Sequence, residues 1–121
     1  MFDLHSMRPV ILKLGGSAIT YKSKTCSPNL PVIQASIDQI AKAREQLILV
    51  HGGGSFAHPF VVEAGLQTGY SDRSQLGAIA ETEMFLDQLT RIISAGLLSS
   101  NLPCVPVRPM GFMILGNGRI L

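Results

Sequence analysis

The chain has 121 residues, enough for one modest domain. Ten basic and eight acidic residues leave a formal charge of +2 without a basic run, so the charge pattern excludes the electrostatic footprint of a nucleic-acid or membrane-surface binder. No apolar stretch reaches the roughly 18 residues that span a bilayer, and residues 1–8 lack the basic-then-apolar layout of a secretion signal.

The first half of the chain alternates between short apolar runs and helical patterns. Residues 9–14 form an apolar run that ends at a pair of glycines, which predicts a buried strand. Residues 32–44 carry apolar side chains at the 3.6-residue spacing of an amphipathic helix. Residues 47–50 predict a second strand, apolar throughout because both faces of its sheet are covered. Residues 59–65 predict a short helix, since proline is tolerated in a first turn.

The second half of the chain contains the longest helical pattern, over residues 74–98, which ends before Pro103. Residues 104–107 then predict a third strand, and residues 112–121 predict a β-hairpin around an Asn-Gly turn. Alternating strands and helices predict an α/β fold with a mostly parallel sheet. Because the second arm of the hairpin stops after three residues, we expect the sequence to be the front part of a longer protein.

Three consecutive glycines, Gly52 to Gly54, separate the second strand from the short helix. Glycines at such a position allow a sharp turn and leave a row of backbone N–H groups exposed, which is a favourable site for an anion. His58 follows at the start of the helix, where it can donate a hydrogen bond to a phosphate or carboxylate oxygen or serve as a simple cap. His51 lies at the end of the strand and is interpreted as structural.

The same glycines also fit a dinucleotide-binding pattern, G-x-G-x-x-A, at Gly52, Gly54 and Ala57. That pattern requires an acidic residue at the end of the next strand, about 20 positions further on. Asp72 lies at about that distance but precedes a helix. The dinucleotide interpretation is therefore weak, and a P-loop is excluded because its motif is absent.

A second glycine motif, Lys13-Leu14-Gly15-Gly16-Ser17, ends the first strand. The carboxyl ends of parallel strands meet at the crevice where α/β proteins bind ligands, so Lys13 is expected near a phosphoryl group and Gly15 and Gly16 near phosphate oxygens. An unpaired lysine inside an apolar strand would be costly to bury. Lys22 could lie over the same site from a mobile loop, or it could be a solvated charge.

The long helix offers two further interpretations. Met84, Phe85, Leu89 and Ile92 could line an apolar pocket, although such a stripe is more often core. Four acidic residues are predicted to form its wet face: Asp72, Glu81, Glu83 and Asp87. No carboxylate or His/Cys cluster has metal-ligand spacing, so no metal site is predicted. The cysteines, Cys26 and Cys104, are predicted to be free thiols of a cytoplasmic protein, the second as a small apolar residue inside the third strand.

Taken together, the string from Ile11 to Thr20 with Lys22, and the string from Leu49 to Pro59 with His58, resemble the amino acid kinase family, and within it the isopentenyl phosphate kinases. The resemblance implies a three-layer αβα fold. Residues 9–121 would be the N-terminal, acceptor-binding part, residues 1–8 an N-terminal extension, and the ATP-binding half would be absent. Members of the family are about twice as long, so the isolated chain is expected to be inactive.

The resemblance also implies a function, the ATP-dependent phosphorylation of isopentenyl phosphate to isopentenyl diphosphate in the mevalonate route of isoprenoid biosynthesis. Mg²⁺ would arrive with the ATP. Three residues would be catalytic: Lys13, Lys22 and His58. The ATP phosphates would be bound by both lysines with Gly15 and Gly16, and the acceptor phosphate by Gly53, Gly54, Ser55 and His58. The chemistry needs no side-chain nucleophile, because the acceptor phosphate itself attacks.

One position departs from this pattern, and several alternatives stay open. Ala57 stands where the family usually has glycine, and its methyl group would cost roughly 1 kcal/mol or more if that position needed a positive φ or close approach by the phosphate. A phosphonate kinase of the fosfomycin type, a catalytically silent phosphate-binding module and a gene fragment without a stable fold are the alternatives. A homodimer or a complementing second half is the expected protein partner.

Overall fold

The computed structural model describes residues 8–121, so the predicted N-terminal extension lies, apart from Arg8, outside the described residues. These residues form four strands and four α-helices, and four short 3₁₀ turns lie in the connections between some of them. In chain order they are β1 (Val10–Leu14), α1 (Gly16–Ile19), α2 (Leu30–Ala43), β2 (Leu47–His51), α3 (His58–Glu63), α4 (Leu76–Ser99), β3 (Leu115–Gly116) and β4 (Arg119–Ile120).

The two apolar runs of the first half form a parallel pair, β1 beside β2, in which Val10 lies opposite Leu47 and Leu14 lies opposite His51. Parallel neighbours need a crossover connection, and α2 provides it. Both strands therefore end at the same edge, where each runs directly into a glycine turn. The predicted α/β fold with a parallel sheet is confirmed.

The core lies on one face of this sheet. Leu14 and Leu49 face a cluster of buried side chains from the helices and the second glycine turn. The members of the cluster are Ile19, Ile33, Ile37, Phe56, Leu89, Ile93 and Leu97. Side chains alternate along a strand, so Ile11 and Ile48 point to the opposite face, where they are 71% and 51% exposed. The predicted fold has three layers, a sheet between two layers of helices. The described residues form the sheet and one of the two helical layers.

Local capping moves two helix starts away from the predicted positions. α2 begins at Leu30, earlier than expected, because the Asn29 side chain accepts a hydrogen bond from the Val32 amide and a proline occupies the first turn. α4 begins at Leu76, after a 3₁₀ turn that Asp72 caps. No helix among the described residues combines the length and apolar character needed to cross a membrane.

The third strand predicted over residues 104–107 is wrong, since this segment pairs with no other strand in the described part of the chain. A cavity of about 420 Å³ is lined by Val105 and Val107 on one side and by Ile48 and Val50 of β2 on another. Cys104 still packs against the core.

The predicted hairpin forms at the expected place but with shorter arms, β3 and β4, of two residues each. Asn117 and Gly118 have φ angles of 51° and 73°, the left-handed pair that a tight two-residue hairpin turn requires. The first arm begins only at Leu115, since residues Pro109–Gly111 form a 3₁₀ turn.

Candidate functional site

A cavity of about 420 Å³ opens where the two glycine turns meet at the carboxyl ends of β1 and β2. This is the position at which α/β sheets bind ligands. The cavity is lined by Gly16, Ser17, Lys22, Gly52, Gly53, Gly54, Ser55, His58 and Pro59.

The glycines of the two turns are required first of all by the way the turns pack on each other. A Cβ atom on Gly52 would lie 2.6 Å from the Gly16 amide nitrogen, and one on Gly16 would overlap the Gly54 backbone. Gly54 also has a φ of 51°, a conformation that other residues rarely adopt. A side chain at Gly16, Gly52 or Gly54 would force the two turns apart, and all three glycines line the cavity.

A lysine and a histidine side chain line the cavity, each from a different segment of the chain. Lys22 is exposed and approaches from the segment after α1, and His58 is exposed at the first residue of α3. Within residues 8–121 no cluster of three metal-ligating side chains exists. The cavity therefore combines backbone amides with positively charged or hydrogen-bonding side chains, an arrangement suited to an anion.

The segment that carries Lys22 was expected to be a mobile loop, but its base is tied to the second glycine turn. The Ser55 hydroxyl accepts a hydrogen bond from the Ser27 amide at 3.2 Å and donates to the Ser27 carbonyl at 3.4 Å. The Cys26 amide donates to the Ser55 carbonyl at 3.0 Å. Ser55 lines the cavity as predicted, yet its hydroxyl is engaged with this segment.

Lys13 and Gly15 lie outside the cavity lining, whereas the other six predicted site residues line it. Lys13 is exposed on the open face of the sheet, opposite Val50. The expected cost of burying it does not arise, because strand alternation turns its side chain away from the core. Gly15 faces open space, since no atom lies within 4 Å of where its Cβ would be.

His51 is structural, in agreement with its interpretation from sequence. Its Nε2 lies 2.9 Å from the Thr90 hydroxyl of α4, and its Nδ1 lies 3.2 Å from the Gly52 carbonyl oxygen. Both ring nitrogens are thus occupied by the fold. His51 anchors the end of β2 to α4 just before the second glycine turn.

Sequence reasoning missed Thr20, Ser17 and Gly52. Ser17 and Gly52 belong to the quoted motifs and could have been included by adjacency. Thr20 is only 2% exposed, and its hydroxyl bridges the two turns. Nothing in its sequence position indicates this contact, because the Ser55 amide that it meets is 35 residues away.

Ala57 has a φ of −131°, so the position does not require the left-handed backbone that would penalise alanine. The strain considered from sequence is therefore not present. The methyl group lies against Gly53, where a Cβ would be 2.5 Å from it. Alanine at this position is compatible with the turn.

Of the four acidic residues predicted to form a wet face, Asp72 and Glu81 are exposed, whereas Glu83 and Asp87 are partly buried. Asp87 pairs with Arg91 at 2.9 Å and with Arg108, which ties the unpaired segment to α4. The Asp72 carboxylate accepts a hydrogen bond from the Ser74 amide at 2.6 Å. Bonding to Ser74 lowers the Asp72 pKa below its ordinary value. Asp72 caps a turn and does not follow a strand. It therefore cannot be the acidic residue that the dinucleotide-binding pattern requires.

The apolar residues of α4 that were predicted to line a pocket differ in their exposure and contacts. Leu89 is fully buried in the core, while Met84 is 66% exposed. Phe85 stacks on Phe60 of α3 with ring centroids 4.4 Å apart. Both cysteines are free thiols, as predicted.

Comparison with known proteins places these features in a family. A profile of the amino acid kinase family matches residues 8–120. The isopentenyl phosphate kinase of Methanothermobacter thermautotrophicus is 31% identical over 120 residues, covering 92% of this chain and 44% of the relative. That of Methanocaldococcus jannaschii is 28% identical over 124 residues, covering 91% and 46%.

Solved structures give the same result. An X-ray structure of isopentenyl phosphate kinase superposes with a TM-score of 0.84 at 30% identity, over 94% of this chain and 49% of that one. A substrate complex of isopentenyl phosphate kinase gives a TM-score of 0.80 at 25% identity, over 91% and 46%. The chain thus spans just under half the length of these relatives.

Proposed function

This chain belongs to the amino acid kinase family, and from that premise we propose that it provides the acceptor-binding part of an ATP-dependent isopentenyl phosphate kinase. The observation that carries the proposal is the cavity in which Lys22, His58 and the second glycine turn meet. The curated relatives that match the chain bear the name of this activity.

The acceptor phosphate would lie against the second glycine turn. The amides of Gly53 and Gly54 and the ring of His58 would donate hydrogen bonds to its oxygens, and bonds of this kind to a charged group are stronger than neutral ones. Ser55 would support the turn that binds the phosphate, since its hydroxyl is bonded to Ser27, its amide to Thr20 and its carbonyl to Cys26. The apolar tail of the acceptor would extend toward α3 and α4.

The reaction transfers the γ-phosphoryl group of ATP to an oxygen of the acceptor phosphate, and the bond to ADP breaks. The protein positions the two phosphates and offsets their charge, with no covalent intermediate on a side chain. Lys22 would stabilise the transferring group from within the cavity. Lys13, Gly15 and Gly16 would contact the ATP phosphates from the end of β1, and Mg²⁺ would be held by the ATP itself.

A complementing second half would supply the remainder of the nucleotide site, because these 121 residues span just under half the length of the matched relatives. A homodimer is the second arrangement that we propose for the assembled protein. In a cell the product would enter isoprenoid biosynthesis in the cytoplasm by the mevalonate route.

Two alternatives are separated from this proposal by their ligands. A fosfomycin-type phosphonate kinase would use the same amides and His58, because phosphonate and phosphate oxygens are alike. A silent binding module would hold an acceptor phosphate without turnover. Acceptor selectivity and ATP turnover therefore decide between the three.

The test is calorimetric titration of the chain with isopentenyl phosphate, fosfomycin and ATP, together with ³¹P NMR detection of isopentenyl diphosphate. We expect saturable binding of isopentenyl phosphate and weaker binding of fosfomycin. Preference for fosfomycin would contradict the acceptor, and binding of neither would contradict the site. The leading proposal also expects no turnover by the isolated chain, so turnover is measured after addition of the C-terminal half of a matched isopentenyl phosphate kinase. Acceptor binding without turnover in that mixture would support the silent module.

A further inference from the structure

The two glycine turns are separate in sequence but are joined by one buried hydroxyl group. Thr20 follows the last residue of α1 and is 2% exposed. Its Oγ1 donates a hydrogen bond to the Gly16 carbonyl at 2.7 Å and accepts one from the Ser55 amide at 2.9 Å. Each turn therefore contributes one partner to the same oxygen atom.

We propose that Thr20 is a positioning residue that holds the two glycine turns at the separation required for phosphate binding. The inference rests on the proposed function, because it assigns Thr20 a role in the same anion site. Thr20 is absent from the cavity lining, so it would act through the backbones of Gly16 and Ser55.

The contacts around Thr20 explain why a hydroxyl is needed at this point. Gly54 packs so closely that a Cβ on it would overlap Thr20 Oγ1 and the Gly16 carbonyl oxygen. The Ser55 amide is buried in this contact, so no water replaces the threonine oxygen. A buried amide that loses its acceptor is costly, and the turn would move to satisfy it.

The linkage extends from Thr20 to the segment that carries Lys22. The Ser55 amide donates to Thr20 Oγ1. The Ser55 hydroxyl is bonded to the Ser27 backbone, and the Ser55 carbonyl accepts from the Cys26 amide. Thr20 itself forms a β-bridge with Pro28 at the base of the same segment. One connected set of hydrogen bonds thus fixes the first turn, the second turn and the Lys22 segment relative to one another.

A shift of the second turn changes phosphate affinity without removing any ligand-contacting group. If only a fraction of molecules has the turns correctly spaced, the apparent dissociation constant rises by the inverse of that fraction. The conservative variant Thr20→Ser keeps the hydroxyl, whereas Thr20→Val keeps the shape and loses the hydroxyl. The pair separates positioning from packing.

The experiment compares wild type, Thr20→Ser and Thr20→Val, with Thr68→Val as the matched control on an exposed turn. Isopentenyl phosphate and inorganic phosphate are titrated by calorimetry, and amide hydrogen exchange of Ser55 is followed by NMR beside that of Ile93 in the core. We expect Thr20→Val to bind both phosphates roughly 5- to 150-fold more weakly, the range given by one unsatisfied buried amide. Ser55 should exchange faster in that variant while Ile93 is unchanged, and Thr20→Ser and Thr68→Val should behave as wild type.

Several results would overturn the inference. Wild-type affinity in Thr20→Val, or fast exchange of Ser55 in the wild-type chain, would show that Thr20 does not hold the turn. If Thr20→Val does not fold, weakened binding by a folded Thr20→Ser would assign the effect to the methyl group and contradict the inference. A wild-type chain that binds no phosphate contradicts the proposed function instead, and Ser55 exchange then still reports whether Thr20 fixes the turn.

Discussion

At the scale of single residues, the three predicted catalytic side chains do not all lie at the cavity. Lys22 and His58 face the cavity, as the proposed roles require, while Lys13 lies on the open face of the sheet. His58 is the first residue of α3 and directly follows the second glycine turn. Because packing fixes the conformation of that turn, the backbone places the His58 ring at the cavity. The acceptor role of His58 is therefore the residue-level claim most open to direct testing.

His58→Ala is expected to weaken binding of isopentenyl phosphate by about 1.5–3 kcal/mol, the contribution of a hydrogen bond to a charged group. The side chain is exposed and lies outside the core, so the free energy of unfolding should change little. Calorimetric titration and thermal unfolding measure the two quantities.

His58→Gln is the control, because its amide can still donate a hydrogen bond and should recover part of the affinity. Equal affinities for wild type and His58→Ala would remove His58 from the site.

At the scale of elements, side-chain caps decide where the helices begin. Asn29 caps α2, and Asp72 caps the 3₁₀ turn before α4 in a reciprocal arrangement with Gln75. The Gln75 side chain accepts a hydrogen bond from the Ser71 amide at 2.8 Å and donates one to the Ala64 carbonyl at 2.9 Å. The cap therefore joins α4 to the end of α3, which carries His58 at its other end.

Asp72 should make stability depend on pH in the acid range. Hydrogen bonds from Ser74 lower its pKa in the folded chain below the ordinary value of 3.8. Its contribution is thus fully present above pH 3.8 and is lost as the pH falls through the lower, folded-state pKa. We expect the stability difference between wild type and Asp72→Ala, measured by urea unfolding, to shrink over that interval.

Asp72→Asn serves as the comparison, since asparagine also caps helices but does not titrate. The difference between Asp72→Asn and Asp72→Ala should stay constant with pH. A wild-type advantage that persists unchanged below the folded-state pKa would contradict the assignment of the lowered pKa to Asp72.

At the scale of the whole molecule, one face of the β1–β2 sheet is apolar but is left uncovered by the described residues. Ile11 lies opposite Ile48 and beside Val50, and all three are exposed. Parallel sheets are normally covered on both faces. Exposed apolar surface of this kind is a site of association, which agrees with the proposed complementing half or homodimer.

The double variant Ile11→Thr/Ile48→Thr is expected to reduce self-association of the isolated chain in sedimentation velocity. Threonine keeps the strand propensity of both positions while lowering the apolar area. Leu98→Gln, at an exposed position of α4, is the control and should associate as the wild type does. Association that is insensitive to the double variant would show that another surface is responsible.

From the sequence alone we predicted the parallel α/β class, both glycine turns and eight site residues, six of which line the cavity. These features follow from local rules, namely apolar periodicity, glycine spacing and the Asn-Gly turn, which act within a few residues. Only the tertiary structure decided that Thr20 joins the turns, that the Ser55 hydroxyl binds the Lys22 segment, and that residues 104–107 do not pair. Each of these depends on contacts between groups far apart in sequence, and no local pattern encodes the distance or direction at which such groups meet.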